Sequence, residues 1–163
     1  PQSITTELQK EIQKEENPKS LFQQLSEKNV NEHTETKGNR GQKQLTYLSW
    51  LYAVNELKKA SPDAYWEVSK FKYIGQEGVQ YQLPYMRDKS GYAYVEVTVY
   101  ADGVPATQIH PVLDNYNRAV RDPDSFAVNT AIMRGLTKAI SLHGLGLYIY
   151  AGEDLPEVEN GKQ

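Results

Sequence analysis

The stretch 125–146 constrains this chain more than any other, because it can hardly be anything but one long helix. Asp124 and Ser125 are good residues for a helix start, and no proline interrupts the run before a stop at Gly144 and Gly146. Spacing the residues about 100° apart sorts the run into two faces. Phe126, Val128, Ile132, Met133, Leu136, Ala139 and Ile140 make a wide apolar arc, while Thr130, Arg134, Thr137, Lys138 and Ser141 make a narrow polar one. The polar arc holds two cations and three hydroxyls but no carboxylate. A solvated helix face usually mixes both signs of charge, whereas cations and hydroxyls together suit phosphate oxygens. The competing reading is an ordinary solvated face. Asn129 and His143 fall inside the apolar arc and are expected to be hydrogen-bonded core residues rather than ligands.

The rest of the core is expected between residues 45 and 124. Residues 46–60 read as a helix that ends at Ser61-Pro62. Strands follow at 65–73, 79–87, 92–101 and 104–113, rich in aromatic and β-branched residues. The segments 88–91 and 101–103 are hairpin turns, the second carrying an Asp-Gly signal. A loop at 114–123 leads into the long helix. The layout is α+β: an antiparallel β-β-β-α core, a curved sheet with a long helix packed across it, preceded by a helix and a flexible N-terminal arm. Residues 1–28 read as two short amphipathic helices whose stripes (Ile4, Leu8 and Ile12, then Leu21, Phe22 and Leu25) need a surface, on a partner subunit or on the same chain. Residues 29–44 are almost free of apolar side chains and read as a flexible linker. The expected division is therefore a helical arm 1–28, a linker 29–44, a core domain 45–156 and an acidic polar tail 157–163.

Charge needs the same positional reading. The net charge of −3 argues at first against a nucleic-acid partner. Residues 1–44 and 45–151 are each balanced, and the excess lies entirely in 152–163, which holds four acids and one lysine. A local basic patch on the core is therefore allowed. The absence of cysteine removes disulfides and thiolate metal sites and permits a cytoplasmic setting. No apolar run approaches a membrane span and nothing resembles a signal peptide. The first residue is proline, so the natural start is expected to have been removed or processed.

Enzyme chemistry finds little support. No glycine-rich run ends in Gly-Lys-Ser or Gly-Lys-Thr, so a nucleotide-driven reaction is not expected. His33, His110 and His143 lack zinc-ligand spacing. Pro62-Asp63, Glu67 and Lys70 form a faint outline of a metal-dependent nuclease motif, with one residue too many between Glu67 and Lys70. No Ser, Thr or Tyr is marked as an activated nucleophile. The expectation is a non-enzyme without cofactor or metal.

Several motifs together give a more definite reading: LTYLSW at 45–50, KASPDA at 59–64, HPVLDN at 110–115, NTAI at 129–132, LTKAI at 136–140 and HGLGLYIYAGEDLP at 143–156. Across 45–156 the chain resembles the Sak-type phage single-strand annealing proteins, which are grouped with the eukaryotic annealing protein Rad fifty-two. The loop departs from the family pattern, reading Asn115-Tyr-Asn-Arg118 where Asn-Arg-Asn-Lys is commoner. The resemblance implies ATP-independent binding of single-stranded DNA and annealing of complementary strands in phage recombination. It implies a homo-oligomeric ring or filament in the bacterial host cytoplasm, with a single-strand-binding protein or an exonuclease as further partners. The single strand would lie in a basic groove lined by the long helix, with its bases turned outward. Arg134 and Lys138 stand where backbone phosphate contacts are expected, and Thr130 shares their arc. Arg118, Arg121, Tyr116 and Asn117 would extend the track in the preceding loop, Tyr116 by stacking on a base. Lys70, Lys72, Arg87 and Lys89 would form an opposite wall, their alternative being ordinary solubilising charge. Tyr47, Trp50 and Tyr52 are expected on a helix in the core or at a subunit interface. Tyr148 and Tyr150 are expected in a short strand with a structural role, and Glu153 and Asp154 as caps or subunit contacts. The alternatives are a protein-interaction adaptor without annealing activity, or a metal-dependent nuclease.

Overall fold

The fold is organised around one strand and one helix. In the computed structural model, which describes residues 2–16, 18–38, 44–151 and 153, strand β7 (Ala93–Ala101) is the centre of a four-stranded antiparallel sheet. Helix α4 (Ser125–Ser141) lies across that sheet. Alternate β7 residues Ala93, Val95, Val97, Val99 and Ala101 are buried beneath α4. Fully burying a valine side chain is worth about 1.5–3 kcal/mol, so this alternation fixes which face of the strand turns inward. Gly135 lets the helix come close: a Cβ there would sit 3.2 Å from Val97 Cγ2 and 3.5 Å from His110 Cβ.

The remaining strands flank β7. Strand β3 (Tyr65–Val68) and the short β6 (Met86–Arg87) pair along one edge, and β8 (Val104–Pro111) along the other. β7 and β8 are joined by the two residues Asp102 and Gly103, with φ of 49° and 74°, the left-handed pair that a tight hairpin of this hand requires. β4 (Phe71–Ile74) and β5 (Gln80–Leu83) form a separate hairpin, so the strand expected over 65–73 is broken at Ser69 and Lys70, and that expected over 79–87 is broken at Pro84. Helix α3 (Trp50–Ala60) packs on α4.

Three expectations are corrected. Residues 45–48 are not helical: Leu45–Leu48 is strand β2, and the helix begins at Trp50 behind a Ser49 cap. Residues 29–37 are not loose chain. Val30 is fully buried, and strand β1 (Thr34–Lys37) pairs antiparallel with β2. Residues 147–150 are a 3-10 turn rather than a strand, following Gly146 in a left-handed conformation. The structural role of Tyr148 holds there, since its hydroxyl donates to Asn31 Oδ1 (2.5 Å) and accepts from the Val30 N–H (3.0 Å).

Two helices precede this core. α1 (Gln2–Glu16) leaves Ile4, Leu8 and Ile12 exposed. α2 (Leu21–Ser26), with a Ser20–Gln23 capping box, buries Leu25 in the core of its own chain. No described helix is long and apolar enough to cross a membrane, and no group of three or more His, Asp or Glu among the described residues is placed to hold a metal ion. Residues 39–43 of the expected linker, Asp154 and the tail 157–163 lie outside the described residues.

Candidate nucleic-acid interface

The polar arc of α4 divides once its side chains are followed. Thr137 and Ser141 are buried, and their hydroxyls donate to the carbonyls of Arg134 (2.9 Å) and Lys138 (2.6 Å). Both hydroxyls bond back to their own helix, although Thr137 still borders a surface cleft. Thr130 lines a concavity that also holds Asp114, Asp122 and Asp124, a poor setting for a polyanion. Asn129 is exposed rather than in the core, and so is Phe126, 77% exposed, at the other end of the expected apolar arc. His143 is the expected core histidine, its Nε2 2.9 Å from the Val99 carbonyl.

Arg134 and Lys138 therefore stand in different surroundings. Lys138 Nζ lies 2.9 Å from Glu153 Oε2 and 5.2 Å from the centre of the Tyr150 ring, with only about a fifth of its side chain exposed. Arg134 has no carboxylate within ion-pair distance among the described residues. Its guanidinium rests over the Tyr47 ring, 4.2 Å from the centroid. That stacking limits the conformations of the side chain while leaving in-plane N–H donors for a phosphate. Burial pushes the Tyr47 phenol above its ordinary pKa, and the Arg134 charge opposes the shift. The Tyr47 hydroxyl is buried with no hydrogen-bond partner among the described residues.

Arg134 lines an open cleft of about 330 Å³ between α4 and the β1–β2 hairpin. The cleft also takes in Lys37, Ser49, Trp50 and Met133. Lys37 is paired with Glu35 at 2.8 Å, so the two cancel and Arg134 sets the sign of the site. Sequence reasoning passed over Lys37, because it lies in a charge-balanced polar stretch with no apolar pattern to mark a strand. Trp50 stands at the start of α3 and is 46% exposed at the cleft rim rather than in the core of its own chain. Tyr47 is buried on β2, and Tyr52 stacks on His33 with ring centres 3.7 Å apart.

The loop before α4 is built on Asp114. Its carboxylate accepts from the Tyr116 and Arg118 N–H groups at 2.8 and 3.0 Å, and the Arg118 N–H is the largest cause holding its pKa below the usual carboxylate value. Asn117 takes a φ of 58° and its amide donates to the Lys37 carbonyl (3.1 Å), tying this loop to β1 and so to the wall of the cleft. Arg118 lies against both Asp114 (3.4 Å) and the exposed Tyr116 ring (5.0 Å). Arg121 lies over Tyr92 at 5.1 Å, and Arg87 pairs with Asp122 at 3.1 Å. Lys70 and Lys72 sit on or beside the β4–β5 hairpin and Lys89 in the turn at 88–91; all three are exposed and none lines the Arg134 cleft.

Comparison with curated proteins finds no match. A family model described as Sak Single Strand Annealing Protein matches residues 19–163. The match begins upstream of the motifs at 45–156 and takes in α2 and Val30, which pack into the core, and β1, which pairs with β2. With that match over most of its length, the chain belongs to the Sak single-strand annealing protein family.

Proposed function

We propose that this protein binds single-stranded DNA without ATP and anneals complementary strands in phage recombination, working as an oligomeric ring or filament in the bacterial host cytoplasm. The observation that carries the reading is Arg134, a cation without a carboxylate partner among the described residues, held over Tyr47 at the mouth of an open cleft in a family of annealing proteins. Arg134 is the primary phosphate contact. The loop carrying Tyr116, Arg118 and Arg121 continues the track, since Asn117 joins it to the cleft wall. Lys70, Lys72, Arg87 and Lys89 meet the strand further out. Lys138 contributes only when the strand displaces Glu153 from it.

Phosphate contacts of this kind position a strand without reading its sequence. A held, extended strand pairs with its complement because duplex stacking supplies about 1.4 kcal/mol per step, so neither nucleotide hydrolysis nor bond chemistry is required. The test is annealing of fluorescent complementary oligonucleotides in EDTA without nucleotide. The protein is expected to accelerate pairing well above the protein-free rate. Binding of the strand with no acceleration would overturn the annealing function and leave a binding module.

A further inference from the structure

The Arg134 cleft has a second chemistry that a phosphate contact does not use. Trp50 continues the stripe of α3 that buries Ala53 and Leu57, but one turn beyond the core, so its indole emerges at the cleft rim. Met133 supplies a second apolar wall. Against these stand the Arg134 guanidinium and the first turn of α3, whose Ser49 cap also lines the cleft. A helix start favours negative charge. The cleft volume of about 330 Å³ is at the small end of the ~300–1,000 Å³ typical of small-molecule sites. The cleft is also lined by Lys37 and Glu35, but these pair with each other. An exposed aromatic face next to a guanidinium without a carboxylate partner among the described residues, in a pocket of this size, matches one nucleotide: a flat base and its phosphate.

We propose that the cleft takes one nucleotide of the bound single strand from each subunit's share, its base stacked on Trp50 beside Met133 and its phosphate on Arg134. This rests on the single-strand binding proposed above and adds to it: one base is drawn in while its neighbours stay free to pair. A captured base resists sliding of the strand and gives each subunit a fixed footprint.

The test separates base from phosphate. A Trp66→Phe variant leaves Trp50 as the reporting indole, Trp66 being half-buried on β3. Its emission is titrated with a labelled thymidine homo-oligomer while binding is read independently from the label's anisotropy. The expected result is quenching that saturates together with binding. Trp50→Ala is expected to weaken thymidine-strand binding about tenfold with the salt dependence unchanged, since stacking neutralises no phosphate. The same substitution is expected to leave binding of an abasic strand of equal length nearly unaltered. Tight thymidine binding with unchanged Trp50 emission, or an equal loss on both strands, would overturn base capture while leaving single-strand binding intact. Absence of any anisotropy change would overturn single-strand binding and this inference with it. If Trp50→Ala does not fold, the emission titration alone decides.

Discussion

A histidine lies directly under the cations of α4. His110, on β8, is almost fully buried, and its Nδ1–H donates to the Pro111 carbonyl at 2.7 Å. Burial lowers its pKa from 6.5 to about 4, with the nearby charges of Lys138 and Arg134 adding to the shift and the Pro111 carbonyl opposing it. The folded protein therefore holds this imidazole neutral where the unfolded chain would take up a proton. Stability from this site is complete above pH ~6.5 and declines as pH falls toward ~4, by about 2 kcal/mol between ~6.5 and ~5. Urea unfolding of the wild type should show that loss, and His110→Leu, which keeps the apolar contacts, should largely remove it. Equal losses in both proteins would show that His110 carries no linkage. The cations that repel the proton were legible in the sequence as a pair on one helical face. The burial of Thr137 and Ser141 beside them was not, because a hydroxyl that bonds back to its own helix looks the same in sequence as one aimed at a ligand.

At the scale of elements, legibility follows the strength of the local signal. Helix α4 was readable from its Asp124 cap and Gly144 stop, and the β7–β8 hairpin from Asp102-Gly103. The β1–β2 hairpin was not: Thr34–Lys37 has no apolar alternation and gains its structure from pairing with β2 beside the buried Val30. That pairing supplies one wall of the cleft, so missing it meant missing Lys37 and placing Tyr47 on a helix instead of on β2. The docking of α2 likewise depends on a contact distant in sequence. Gly144 has φ +119°, and a Cβ there would lie 2.6 Å from the Phe22 carbonyl oxygen and 3.1 Å from the Ser26 nitrogen. Backbone on both sides leaves little room for relief, so Gly144→Ala is expected to destabilise the protein by about 2–4 kcal/mol in urea unfolding. A loss below about 0.5 kcal/mol would mean that α2 does not pack closely against this end of α4.

Taken whole, the molecule carries a net charge of −3, and the partner proposed for it is a polyanion. The two agree because attraction depends on which charges lack partners rather than on their sum. Lys138, Arg87, Arg118 and Lys37 each have a carboxylate within 4 Å, and Arg134 has none among the described residues. Single-strand affinity should then fall with salt by a log–log slope of about −0.7 for each phosphate neutralised. The decisive measurement is that slope for wild type and for Arg134→Gln, in preparations of matched assembly state. Weaker binding at low salt, with a slope shallower by about 0.7 for each subunit in contact with the strand, is the predicted result. Unchanged affinity and slope would contradict the claim that Arg134 grips the phosphate backbone.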